Sequence, residues 1–508
     1  MRLTQAQIQK LDITNAVKTV LKDGYERLPS IVIDECLSAE PGRVVESVLA
    51  TFLQGAPVAS EVLAMPRRNG FGPRPVTIVS VEARAMLQAL VSYLSTSITL
   101  APRLADGWKP AWQAHQRFGE DLDPSTYIVE TDIASCYEYV DHGKLVDELI
   151  LQTSEVAYAT AVGQLLGEIM GSATGLPQFL RSADVLADIY LAMMERDLLR
   201  AGARVSRFAD DFRLIEETWS GARRRIEQAA EFAREYGLVL SSEKTRVYKL
   251  ATAVDRRANR EASLQEYSEA ALETLSDEDS TAFYATFDEE ESEVDEDEAA
   301  ELAMRTLLQD WLEESKEGAG TDPEPTLSYY VPSALRMLSE LGGDVLDDSV
   351  LAEIVFWRPA HLELVGRLLR RRSVHARNLE VLEQIIKADR PTPWGCLWIL
   401  SLAASTVPSD ADHTALEDWA NSLLSEPSAT VRAQASWYLA ERGKLDTMST
   451  VVSYASSSAL ARPALAAALG RSGLAPEDPL ATSVTGDSPR AAVGFRAGSS
   501  ARKQATGG

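Results

Sequence analysis

Two adjacent carboxylates, Asp210 and Asp211, stand between the strand-like runs 203–208 and 212–215. At the tip of a β-hairpin such a pair makes a hard-oxygen site suited to Mg²⁺. Taken alone, an Asp-Asp pair in a turn is ordinary. A third carboxylate, Asp132, lies near the end of a strand candidate at 127–133, with an aromatic, Tyr137, five residues later. One carboxylate from that strand and one from the hairpin can bridge two divalent cations roughly 3.5–4 Å apart, the arrangement used for in-line phosphoryl transfer. Asp132 and Asp210 are the natural ligands. The carbonyl of Ile133 is an extra one, and Asp211 is the second, less essential carboxylate. Asp132 alone could equally cap a helix.

Three further segments carry polar groups that suit the same chemistry. In Gly175-Leu176-Pro177-Gln178-Phe179, Gly and Pro form a rigid turn that presents backbone and an amide before a long helix. An ordinary loop-to-helix junction with Ser182 as its cap reads the same way. In the run 237–245, Lys244 can neutralise or protonate a departing pyrophosphate, or be a plain surface lysine. Arg67, Arg68 and Arg74 flank a Gly-rich turn and suit a triphosphate, or a solvated hairpin tip.

These groups must be held by a mixed α and β region over residues 1–255. Strands are predicted at 74–80, 127–133, 238–240 and 246–250, a hairpin at 205–215, and helices at 81–98, 144–170, 182–199 and 223–236 from apolar spacing. The fold class expected is α+β followed by an all-α part. Residues 256–324 read as an acidic, disordered insert, since nine of the eleven residues at 288–298 are acidic. Residues 325–475 read as helical. The stretch 425–445 resembles a HEAT-type repeat, with Val431 and Arg432 starting a helix that Gly443 ends; a plain helical bundle is the alternative. Residues 476–508, rich in Ala, Ser, Gly and Pro, read as a flexible tail. Gly342-Gly343-Asp344 lies beyond the insert and reads as a turn.

Composition sets the outer limits. The chain has 508 residues, 45% of them apolar, which is enough for several domains. Net charge is −26, but residues 261–330 hold −21 of it, against −4 for 1–260 and −1 for 331–508. The acidity is therefore local and leaves nucleic-acid binding open elsewhere. Cys36, Cys136 and Cys396 fit neither a disulfide framework nor a zinc spacing. No apolar run reaches the roughly 20 residues of a membrane span, and the N-terminus lacks a signal-peptide core, so a cytoplasmic protein is expected. Arg367, Arg370, Arg371, Arg372 and Arg377 could line a groove for nucleic acid or coat a solvated helix face.

In chain order, a basic turn with Arg74, then Asp132-Ile133 through Cys136-Tyr137, then Gly175–Gln178, then Phe208–Asp211, then the run ending Lys244-Thr245 resembles the fingers and palm of a reverse transcriptase, over roughly residues 60–250. The resemblance implies that Asp132, Asp210 and Asp211 are the catalytic aspartates, with Mg²⁺ or Mn²⁺ as cofactor and dNTPs as substrates. It implies that Tyr137 is the steric gate against a 2′-hydroxyl, which disfavours an RNA polymerase. Arg74 would hold the triphosphate, Gln178 would touch the nascent pair, and Lys244 is the lysine beyond the catalytic hairpin. The family pattern has glycine where this chain has Phe179, which puts a ring where template or primer backbone usually passes.

A palm followed by an all-helical half, without endonuclease, RNase H or maturase motifs, is similar to the bacterial abortive-infection, or defence-associated, reverse transcriptases. That likeness implies HEAT-like repeats, DNA or RNA as partners, homo-oligomers, and in some members a protein-primed, untemplated product covalently attached to the enzyme. A catalytically idle palm used as a scaffold, and a templated retroelement-type enzyme, are the alternatives.

Overall fold

The computed structural model of the protein describes residues 3–54, 58–67, 72–105, 107–283, 296–317, 326–388, 390–408 and 411–506. It is mostly helical, with two small sheets. The chain forms two compact units that are not contiguous in sequence. One comprises Met1–Glu26, Leu37–Val62 and Val76–Ala258; the other comprises Arg27–Cys36, Leu63–Pro75 and Asn259–Gly508. Strands β1 (Ser60–Pro66) and β2 (Pro73–Val79) pair with each other.

The first unit is built on a four-stranded sheet of β3 (Tyr127–Asp132), β4 (Arg204–Phe208), β5 (Asp211–Glu216) and β6 (Arg246–Lys249), in the order β4-β5-β3-β6. Its pairings are all antiparallel. Burial of Ile128 and Val129 on successive positions places β3 in the interior of the unit. The helix Val81–Ser95 buries Ala85, Leu87, Leu90, Val91 and Leu94, the stripe that its spacing predicts. Residues 144–170 are mostly helical as expected, in two helices, His142–Thr153 and Val156–Met170, with Ser154 at a left-handed φ of 59° between them. The expected strand at 238–240 is only an isolated bridge between Ile133 and Leu240.

In the second unit the described residues from 326 onward are helical, with short 3-10 turns. Val331–Leu341, Leu362–Arg371, Pro393–Thr406, Ala429–Glu441, Arg462–Ser472 and Pro489–Thr506 form a row in which each helix packs on the next. Most of the helices between them form a second row, as where Asp348–Trp357 packs on Arg377–Ala388. Such stacking extends a core along one direction.

In two places where composition predicts disorder or flexibility the chain is helical. Much of the acidic insert is helical: Leu250–Phe283 and Glu296–Glu317 are helices. The second buries Ala299, Ala303, Met304, Leu307, Leu308, Trp311 and Leu312, an apolar stripe at helical spacing that the surrounding acids conceal. Residues 284–295, with most of the acidic run, lie outside the described residues. The tail is also helical, at Pro479–Asp487 and Pro489–Thr506. Its small residues serve close approach rather than flexibility. A Cβ on Gly494 would overlap the Pro463 carbonyl, and one on Gly498 would overlap that of Ala467.

The unit boundaries differ as well, because Arg27–Cys36 belongs to the helical unit. Trp394 is fully buried, and its indole N–H donates to the Arg27 carbonyl at 2.8 Å. Arg27 pairs with the buried Glu363 at 3.1 Å, and the Val32 amide donates to Gln434 at 2.9 Å. The arginine cluster is structural in part. Arg372 is buried on Asp348 at 2.7 Å, and Arg377 shares that carboxylate. Asp344 accepts from the Ser373 amide at 2.8 Å, 29 residues away in sequence. All three cysteines are buried free thiols. Among the described residues, no helix is long and apolar enough to cross a membrane.

Candidate active site

The sheet register brings the carboxylates together. Asp132 ends β3 and lies opposite Asp211, which begins β5. Phe208 closes the hairpin against Asp211, leaving Ala209 and Asp210 as a two-residue turn. Ala209 takes a left-handed φ of 54°, the sign this tight connection requires. The Asp210 carbonyl accepts from the Ile133 amide at 3.2 Å, which ties the turn to the end of β3. One carboxylate oxygen from each of Asp132, Asp210 and Asp211 lies within 4.8 Å of the others. The bridge to residues 239–241 uses the Asp132 carbonyl and the Ala134 amide, so the Ile133 carbonyl is not part of it.

Three carboxylates at this spacing repel one another unless cations sit among them. Burial, then the negative charges of Asp210 and Asp132, push Asp211 up to about 7. Lys244 supplies one compensating charge, its Nζ 3.0 Å from Asp132 Oδ2. Its side chain is 64% exposed, so it can leave without unpacking anything. The Lys244 loop is held to β3 by a Thr131–Thr245 hydroxyl contact of 2.7 Å and by the Ser241 amide on the Asp132 carbonyl at 2.7 Å. An all-oxygen donor set with excess negative charge fits Mg²⁺ or Mn²⁺.

Beside the carboxylates, Tyr137 lies in the short helix Cys136–Tyr139, and its hydroxyl donates to Asp184 Oδ1 at 2.5 Å. Its carbonyl accepts from the Leu176 amide at 2.7 Å, so the Gly175–Gln178 loop is fastened to it. Gln178 is buried in that loop. Phe179 is half-buried and holds a φ of 63°, the left-handed region that favours glycine. The loop thus keeps a glycine-like backbone while carrying a ring. Ser182 does not cap the following helix, Arg181–Arg200, whose N-cap position is Leu180. Arg74 stands on the exposed start of β2, in the stretch Leu63–Pro75 of the other unit, and Arg68 lies outside the described residues.

A second tier behind the hairpin has no signature in the sequence. Arg207 is 4% exposed and donates to the Ala209 carbonyl at 3.2 Å. It pairs with Asp188 at 2.8 Å and with Glu195 at 2.7 Å, and Arg103 shares Asp188 at 3.4 Å. This places a guanidinium against the backbone of the turn while its charge is neutralised from the helix Arg181–Arg200. On the helix Trp108–Gln116, Trp112 meets the Phe208 ring edge-on at 5.0 Å, and His115 Nδ1 lies 2.9 Å from Ser206 Oγ.

Burial, and then the charge of Arg213, hold His115 down to about 4. A histidine whose folded pKa is depressed favours folding fully above its unfolded value near 6.5, and that contribution is lost as pH falls toward 4. Between pH 7 and pH 5 the loss should be about 2 kcal/mol. Urea unfolding at both pH values should show it in the wild type, and His115→Gln should flatten the pH dependence by that amount. An identical drop in the variant would exclude this role for His115.

Residues 68–276 match the family model described as reverse transcriptase (RNA-dependent DNA polymerase), so this stretch is a reverse transcriptase domain. No curated protein matches the chain. Among solved structures, telomerase from Candida tropicalis with a TWJ fragment of telomeric RNA matches at 11% identity and TM-score 0.27, covering 74% of this chain and 67% of that one. Apo telomerase from Candida tropicalis matches at 10% and 0.27, covering 79% and 77%. Telomerase from Candida albicans with a TWJ fragment of telomeric RNA matches at 12% and 0.26, covering 87% and 73%.

Proposed function

We propose that the reverse transcriptase domain polymerises deoxynucleotides, with Asp132, Asp210 and Asp211 as its catalytic carboxylates. The observation that carries this reading is the meeting of all three where the end of β3 faces the turn into β5, with one oxygen from each within 4.8 Å of the others. These residues, with the Ile133 carbonyl, would hold Mg²⁺ or Mn²⁺. When bound, such cations lower the pKa of an attacking 3′-hydroxyl and neutralise charge on the leaving pyrophosphate. Lys244 then gives up Asp132 and turns to the pyrophosphate. Tyr137 stands against the sugar, Gln178 against the nascent pair, and Arg74 serves the triphosphate.

The finer reading is a cytoplasmic antiphage, abortive-infection polymerase that works on DNA or RNA as a homo-oligomer. The row of stacked helices after the palm supports HEAT-like repeats and this placement. Phe179 in a loop whose backbone suits glycine supports restricted templating, and with it a protein-primed product.

The purified protein, given labelled dNTPs and Mg²⁺ or Mn²⁺, should incorporate label, both with a primed template and with no added nucleic acid. In the second case the label should migrate with denatured protein. Asp210→Asn should abolish both signals. Equal incorporation by that variant would remove the carboxylates from catalysis, and label found only on added primer would remove protein priming.

A further inference from the structure

The geometry points to Asp184 as a positioning residue that sets sugar selectivity by holding the Tyr137 ring through its hydroxyl. This rests on the reading that the domain incorporates deoxynucleotides with Tyr137 at the sugar. Asp184 lies in the first turn of the helix Arg181–Arg200, 47 residues from Tyr137 in sequence. The 2.5 Å separation is that of a charge-assisted hydroxyl–carboxylate bond. Burial, then the Asp184 carboxylate, raise the Tyr137 phenol well above its ordinary value, so the phenol keeps its proton and is the donor.

Apart from the phenol, the carboxylate feels the charges of Arg103 and Arg181 without pairing with either. Among the described residues it makes no ion pair: the neighbouring Arg103 directs its Nε to Asp188 and reaches only the Asp184 backbone carbonyl, at 3.5 Å. A half-buried carboxylate without an ion pair is costly to keep, and Asp184 is indeed pushed up by burial. What that cost secures is the ring. The backbone of Tyr137 is fixed by Leu176, but its side chain would retain rotamer freedom without an anchor at the far end. A gate acts by excluding one hydroxyl, so a displacement of about 1 Å matters. Asp184 is itself on the helix that clamps Arg207 through Asp188, so the gate and the metal-binding turn are referenced to one rigid element.

The test is the ratio of kcat/KM for dNTP over rNTP in the full-length wild type, Tyr137→Ala, Tyr137→Phe, Asp184→Ala and Asp184→Asn. Tyr137→Ala should abolish discrimination. Asp184→Ala should cut the ratio about tenfold through a gain for rNTP, leaving kcat for dNTP within about twofold, as expected for a misplaced ring. Tyr137→Phe, which removes the same bond from the other side, should follow Asp184→Ala and serves if that variant does not fold. Asp184→Asn keeps an acceptor oxygen and should retain the wild-type ratio. Unchanged ratios in Asp184→Ala or Tyr137→Phe, with discrimination lost in Tyr137→Ala, overturn the role of Asp184 alone. Full discrimination in Tyr137→Ala overturns the gate and this role together, and a wild type that incorporates nothing overturns the polymerase reading beneath both.

Discussion

Asp211→Asn should reduce nucleotide incorporation by about 10³-fold or more and, in EDTA, raise the thermal midpoint. The two effects share one cause. Three carboxylate oxygens within 4.8 Å of one another are arranged for cations, and without cations they repel. Asparagine removes a charge at nearly constant volume and should stabilise the metal-free fold by about 1–2 kcal/mol, or about 2–4 °C for each kcal/mol in a unit of this size. Asp132→Asn should lose more activity but gain less stability, because Asp132 is a primary ligand and the substitution also takes the partner of Lys244. Adding Mg²⁺ should raise the wild-type midpoint and leave that of Asp211→Asn nearly unmoved. Calorimetry of the three proteins with EDTA and with Mg²⁺ decides it. A lower midpoint for Asp211→Asn in EDTA would mean that the carboxylate is a structural hydrogen-bonding group, not a site held ready for metal.

A fragment of residues 259–508 should fail to give a cooperative unfolding transition, although it holds nearly all the helices of its unit. It lacks Arg27–Cys36, and with that segment the buried side chains of Ile31, Val32, Ile33 and Cys36. It also takes the Arg27 carbonyl from the indole of Trp394, the Val32 amide from Gln434, and Arg27 from the Glu363 carboxylate, for which Arg367 at 3.4 Å remains. Each lost apolar side chain costs about 2–4 kcal/mol and each stranded polar group about 1–3 kcal/mol, which together reach the whole stability of an ordinary domain. Circular dichroism on heating should show helix content decaying without a sharp midpoint. A single sharp melt of the fragment would show that the inserted segment decorates the unit rather than completing it.

The carboxylates were legible because their chemistry constrains both residue type and place. An acidic residue at a strand end and an acidic pair in a tight turn are local patterns, and the sheet register joins them. Asp184, Arg103, Asp188 and Arg207 were not legible. Their bonds join separate elements of the chain, and each is individually an unremarkable polar residue on a helix or strand. Composition misled in two places. Acidic residues around Ala303, Leu307 and Trp311 concealed a buried stripe, and the Gly and Ala of the last helix signified close contact instead of flexibility. The sharing of Arg27–Cys36 left no trace either, since its short apolar run would suit the core of either unit.

Phe179 bears on how such a loop can change over time. Its backbone already lies at the angle glycine would choose, and a non-glycine residue there stores about 1–3 kcal/mol of strain. The neighbours therefore dictate the path of the chain, and the occupant of the position does not. Exchange between ring and hydrogen at 179 is a reversible step in descent that leaves the route of the main chain intact. Selection at this position can act on the side chain alone.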